Sequence, residues 1–204
     1  MMTFIYSTTS PFARKVLITA MELGLRDQIT LEIAHPLRNA EQVSDANPLG
    51  KVPCLLTDAG QMVVNSPVIC QFLQRMAHAG PELHDPSYMD IDTVERVQAL
   101  ADGLMDAAVA LVMESLRPEE QRSDLWQERW YGALNRTLAF IERYEVSRLR
   151  TAFGSMAEIS LACALDYLDF RHPDYDWRES APELELWLSE ISRAESFAAT
   201  VPVG

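Results

Sequence analysis

A chain of 204 residues, 48% hydrophobic and 23% charged, has ordinary globular proportions and room for one large domain or two small ones. Its formal net charge of -13 argues against nucleic acid as the main partner, because phosphate binding needs a basic footprint. No apolar run reaches the roughly 20 residues that span a bilayer, and the N-terminus lacks the basic-then-apolar pattern of a secretory signal. No membrane association is expected, and the default location is cytoplasmic.

The first part of the chain alternates strand and helix signals. Thr3 to Tyr6 is a short β-prone run. Ser10-Pro11 opens a helix, since proline suits a first helical position where no N–H is needed. Val16, Leu17, Ala20 and Leu23 follow at helical spacing, and Gly24 ends the segment. Ile29 to Ile33 reads as a second strand, giving a βαβ unit and a parallel pair. The polar stretch from Arg38 to Asn47 has room for a short helix. Pro53 to Leu56 and Gln61 to Val64 flank the turn Asp58-Ala59-Gly60-Gln61, which makes a hairpin. Ser66 is then the expected N-cap of an amphipathic helix carrying Val68, Ile69, Phe72, Leu73 and Met76.

After His78 the pattern changes. A linker is expected over residues 79–87, which hold two prolines and a glycine. From about Tyr88 the strand signals stop. Helices are expected over Ile91 to Leu116, Asp124 to Tyr144, Ile159 to Phe170 and Pro182 to Ala194. The third begins with a capping box, Ser155-Met156-Ala157-Glu158, in which the serine bonds the third backbone N–H and the glutamate reaches back. The expected architecture is therefore an α/β domain over 1–78 and an all-α domain over 88–204.

Chemistry concentrates in Asn47-Pro48-Leu49-Gly50-Lys51-Val52-Pro53-Cys54-Leu55 and, after the hairpin, Asn65-Ser66-Pro67-Val68-Ile69. A proline at the start of a strand cannot donate a ladder bond. With a cis bond it leaves the N–H and C=O of Val52 free to pair with an extended peptide. Ser66 at a helix N-terminus offers a hydroxyl and unpaired N–H groups to a carboxylate. Lys51 supplies a positive charge for a second one. The arrangement fits a peptide with a carboxylate at either end. Each piece alone would equally serve only the fold; it is the combination that points to a ligand.

Other features say less. Cys54, Cys70 and Cys163 form no CxxC pair, the four histidines are scattered, and no metal site is expected. Cys70 and Cys163 read as buried thiols. Cys54 sits beside the proposed site, where a mixed disulfide is conceivable, but an apolar run favours core. Asp102 and Asp106 share a helix face, which is either solvated or turned to a ligand. Trp126 and Trp130 read as packing.

The motifs GKVPCL and NSPVI closely resemble the glutathione-binding signature of cytosolic glutathione transferases, and the likeness extends over the whole chain. Tyr6 to Lys15 resembles the family's first strand-to-helix turn, and Ser155 to Leu165 its capped core helix. The resemblance implies a thioredoxin-like N-terminal domain, an all-helical C-terminal domain, a homodimer and a detoxifying transferase with glutathione as co-substrate and no metal. It implies that Val52, before a cis Pro53, pairs with the cysteinyl unit, that Ser66 holds the γ-glutamyl carboxylate and that Lys51 lies near the glycyl end. The family most often has an acid where this chain has Asn65, which can hydrogen-bond the γ-glutamyl group but cannot pair with its ammonium as an ion.

Ser10-Pro11-Phe12-Ala13 stands where a thioredoxin-like redox protein would carry two cysteines, so dithiol exchange is not available at this turn. It resembles the serine-type transferase turn, in which Ser10 would donate a hydrogen bond to the glutathione sulfur. Ser10 can equally be a plain N-cap, and Ser7, Thr8 and Thr9 are neighbouring hydroxyls. The resemblance places a hydrophobic electrophile against Phe12 and helical-domain residues such as Met105. Two functions are therefore open: a glutathione transferase, or an interaction protein on the same fold with little catalysis.

Overall fold

The computed structural model describes residues 1–77, 83 and 88–203, so the linker expected over 79–87 lies, apart from Leu83, outside the described residues. Two compact units are formed. The first contains Met1–Leu83 together with Glu195–Gly204, and the second His84–Ala194.

In the first unit, β1 (Met2–Tyr6), α1 (Pro11–Glu22), β2 (Ile29–Ile33), α2 (Ala40–Ala46), β3 (Cys54–Leu56), β4 (Met62–Val64) and α3 (Ser66–Met76) follow one another, the order read from the sequence. The sheet runs β2-β1-β3-β4. β1 and β2 are parallel, with Tyr6 opposite Ile33, whereas β3 is antiparallel to both neighbours. This is the thioredoxin-like arrangement. Period-two alternation sends Ile5 and Cys54 to one face, where they pack with Ala34 and with Val43 of α2. The intervening Phe4 and Leu55 are buried on the other. Gly24 ends α1 at φ 67°, a conformation that a Cβ disfavours.

The second unit holds α4 (Ile91–Ser115), α5 (Asp124–Tyr144), α6 (Met156–Arg171) and α7 (Pro182–Ile191). α6 is buried on nearly every side, as expected of a helix that is apolar all round, and α4 packs against both α5 and α6. The capping box forms with one change: Ser155 accepts from the second helical N–H, that of Ala157, at 3.2 Å. Trp126 and Trp130 stack at 5.6 Å between ring centroids. Among the described residues no helix is long and apolar enough to cross a membrane.

Two expectations need correction. Ser66 is the first residue of α3, and Asn65 is the cap. The last ten residues also leave the helical domain expected over 88–204. A short helix, α8 (Glu195–Ala198), packs on α1, because buried Arg14 donates to the Phe197 carbonyl at 3.0 Å and stacks 3.9 Å from its ring. Cation–π contact and a charge-assisted hydrogen bond together hold the tail there.

Candidate functional site

The sheet register builds the site. Ile5 pairs with Cys54, and Cys54 with Val64. Two residues beyond this rung, past the ends of three adjacent strands, lie Ser7, Val52 and Ser66. Neighbouring strands are spaced about 4.8 Å apart, so the turn after β1, the segment before β3 and the start of α3 share one end of the sheet. The Lys51-Val52-Pro53 and Asn65-Ser66 motifs, separated in sequence by a hairpin, are brought together with the Ser7–Ser10 turn.

The Val52–Pro53 bond is cis, as expected. Val52 precedes the ladder, and neither its N–H nor its C=O is hydrogen-bonded within the described residues. Its side chain packs with the Ile5 cluster, which leaves the backbone as its functional surface. Lys51 is exposed. Its carbonyl accepts from Asn47 Nδ2 at 2.7 Å, while Asn47 Oδ1 accepts from Leu49 N–H at 3.0 Å and the Asn47 carbonyl from Gly50 N–H at 2.8 Å. Buried Asn47 thus fastens the loop that presents Lys51 and Val52. The sequence contained this residue without marking its role; an asparagine just past a short helix is a turn former whose side chain bonds the backbone.

Ser66 is only 1% exposed, and its Oγ has no hydrogen-bond partner. A buried polar group without a partner costs about 1–3 kcal/mol. Around it the first turn of α3 is also unsatisfied, since Ile69 N–H makes the first intrahelical bond, to Asn65, and the preceding N–H groups point out of the helix end. Asn65 has φ 72° and ψ 129°, and its side chain caps nothing. That backbone is rarely adopted by a residue other than glycine, at a cost of about 1–3 kcal/mol.

Ser10 is half-buried and caps α1, its Oγ accepting from Ala13 N–H at 3.2 Å. The hydroxyl proton remains available as a donor, so capping and ligand contact are compatible. Ser7 and Thr9 are joined hydroxyl to hydroxyl at 3.1 Å, whereas Thr8 donates to the Val203 carbonyl at 2.8 Å. Phe12 is half-buried in the first turn of α1. Cys54 is fully buried, donates to the Ala46 carbonyl at 3.3 Å, and has its thiol pKa pushed up by burial. That environment disfavours the reactive thiolate.

Met105 belongs to the interior of the helical unit, with 0% exposure. The expectation that it lines an electrophile pocket is therefore corrected: its place on α4 turns it into the core, as Leu104 and Ala108 are turned. Asp102 and Asp106 are also on α4. Among the described residues no cluster of three or more histidine, cysteine or acidic side chains could hold a metal ion.

Comparison with known proteins agrees with this architecture. The family model described as the glutathione S-transferase N-terminal domain matches residues 9–76, and that of the C-terminal domain matches residues 124–190. The GST-like protein YibF of Escherichia coli K12 is 35% identical over 202 residues, 98% of either chain. A glutathione transferase family member from Pseudomonas fluorescens Pf-5, solved with bound glutathione, is 36% identical and superposes with a TM-score of 0.94 over 100% of both chains. A second structure from that organism, also 36% identical over 100% of both chains, has a TM-score of 0.88 and holds S-(propanoic acid)-glutathione.

Proposed function

Since the chain belongs to the glutathione S-transferase family, we propose that the sheet end formed by Val52 and Ser66 binds glutathione and that Ser10 stabilises its thiolate for attack on a hydrophobic electrophile. The observation that carries the proposal is the buried Ser66 hydroxyl without a partner. A carboxylate at the N-terminus of α3 would accept from that hydroxyl and from the free N–H groups beside it, and the helix dipole favours the negative charge. The open backbone groups of Val52 suit the cysteinyl unit, and exposed Lys51 suits the glycyl carboxylate. Asn65 is assigned to the γ-glutamyl group. The ligands in the Pseudomonas fluorescens structures support this choice.

Chemistry then follows from position. A free thiol with a pKa near 8.5 is only a few per cent ionised at pH 7. A hydrogen bond from Ser10, at the N-terminus of α1, would favour the anion. The thiol proton is lost to water, and the sulfur lone pair forms the new C–S bond. Holding the nucleophile beside its acceptor supplies much of the rate gain. Ser10 donates a hydrogen bond; it neither attacks nor removes a proton.

The proposal extends to a cytoplasmic homodimer. Its support is the apolar surface of the first unit, where Leu49, Met62 and Val68 are exposed. Sedimentation would read the mass directly. Ser10→Ala is expected to lower kcat about tenfold or more while leaving the glutathione KM near its original value, the pattern of a bond made mainly in the transition state. A raised KM with unchanged kcat would reduce Ser10 to a cap. In crystals soaked with glutathione, the Ser10 hydroxyl should lie within about 3.5 Å of the sulfur. If Ser7, Thr8 or Thr9 lies there instead, the role passes to that residue. Tight binding of glutathione without turnover of any electrophile would favour an interaction protein, a reading to which Asn65 in place of an acid lends support.

A further inference from the structure

A cavity of about 340 Å3 runs along one face of α1 within the first unit. Ser10, Arg14, Leu17 and Met21, all lining it, are spaced by four, three and four residues and so share that face. Leu31 of β2 and tail residues Ala199, Thr200, Val201 and Val203 also line it. Ser10 and Met21 are separated by about 16 Å of helical rise. A lining drawn out along the helix in this way suits an extended chain.

The lining changes character along its length. Hydroxyls of Ser7, Thr8 and Ser10 gather at the N-terminal end of α1, Leu17, Met21 and Leu31 line the middle, and Arg26 stands at the far end. Arg14 is already committed, donating to Phe197 and, through Nε, to Thr200 Oγ1 at 3.3 Å. It holds the tail that covers the cavity. Arg26 is different. Its Nη1 donates to the Ile29 carbonyl at 2.9 Å, and among the described residues no carboxylate lies within ion-pair distance of it. Glu22, Asp27 and Glu195 border a neighbouring depression with Arg26 but stay beyond that distance. A guanidinium with donors to spare, at the end of a largely apolar cavity, matches a carboxylate.

We propose that this cavity is the acceptor site and takes a linear electrophile with a carboxylate at the end remote from its reactive carbon. The proposal rests on the transferase reading, since Ser10 is common to the cavity and to the assigned sulfur position. Arg26 binds the carboxylate, Leu17, Met21 and Leu31 enclose the chain, and the reactive carbon reaches the Ser10 end. For a linear 2-enal, the glutathione thiolate forms a bond to the β-carbon. The C=C electron pair moves to the α-carbon, which takes a proton from water. Nothing leaves, nothing is oxidised, and the sum is addition of S–H across the double bond.

The test compares 12-oxododec-10-enoic acid with its methyl ester on the full chain at saturating glutathione. The acid is expected to have a kcat/KM about tenfold or more above the ester, as a charge-assisted contact allows. Arg26→Ala should collapse that ratio toward unity mainly through the KM of the acid, and Arg26→Lys should restore part of it. Leu17→Trp, which fills the channel, should lower turnover of both. Equal rates for acid and ester in the unaltered protein, or an acid preference that survives in Arg26→Ala, would overturn the proposal and leave the transferase reading intact. Failure to turn over either compound would overturn the acceptor assignment, while conjugation of a general electrophile such as chlorodinitrobenzene tests the transferase reading on its own. Calorimetry with dodecanoate then tests the cavity independently: saturable binding weakened about tenfold by Arg26→Ala and by Leu17→Trp supports it, and no saturable binding overturns it.

Discussion

Ser155 and Ser66 are the same residue at the same kind of place, buried at the N-terminus of a helix, yet their surroundings are opposite. Ser155 accepts from Ala157 N–H and donates to Glu158 Oε2 at 2.6 Å, and Glu158 Oε1 in turn accepts from Arg150 N–H at 3.1 Å. Every polar group in that cluster is occupied, so its purpose is completed by folding. Ser66 has a hydroxyl with no partner beside helix N–H groups that are also open. Folding alone gains nothing from that arrangement, and it costs roughly 1–3 kcal/mol to maintain. A satisfied serine at a helix start marks structure; an orphaned one marks a place kept for a ligand. Ser10 stands between them, capping α1 with its oxygen and keeping its proton.

The contrast can be broken from either side. The largest effect is expected at Glu158, whose carboxyl burial pushes up from 4.5 to about 7 despite the backbone N–H groups it gathers. Between those values the folded chain carries a proton that the unfolded chain has lost, so stability falls as pH rises through the window and levels off above it. The span corresponds to about 3 kcal/mol. Glu158→Gln should remove that slope in denaturant titrations from pH 4 to 8, and an unchanged slope would assign the pH dependence to other groups.

Next is Ser155→Ala, expected to cost about 1–2 kcal/mol in denaturant midpoint, because a cap is lost and Glu158 Oε2 loses its donor. A neutral result would show that the satisfied cluster is dispensable, and the comparison would fail. The smallest shift belongs to Asn65. Replacing it by glycine relieves the positive φ and should leave stability unchanged or raise it by up to about 1 kcal/mol, while weakening glutathione binding through loss of the amide. Unchanged binding in Asn65→Gly would remove that residue from the site.

Much of this is legible in the amino-acid sequence alone. The order of strands and helices followed from hydrophobic period and turn residues, and the Val52-Pro53 and Asn65-Ser66 motifs were visible as strings. Three features were not. The cap of α3 shifted from Ser66 to Asn65 because composition favours serine as a cap, whereas the chain enters this helix through a positive φ that no propensity scale encodes. Met105 was expected at a pocket because helical spacing shows an apolar face without saying what covers it. The return of residues 195–203 to α1 was hidden because its cause is a long-range match between buried Arg14 and Phe197. A cationic residue on the apolar face of a helix was the available signal.

The most direct measurement is calorimetric titration of glutathione into the unaltered chain and into Ser66→Ala, with a thermal melt of each. Saturable binding is expected in the first and a loss of about tenfold or more in the second, the worth of a hydrogen bond to a charged group. The melting temperature should be equal or higher in Ser66→Ala, because an unsatisfied buried hydroxyl has been removed. A destabilised variant that binds glutathione as tightly as the original would contradict the account, since Ser66 would then be what Ser155 is, a residue of the fold alone.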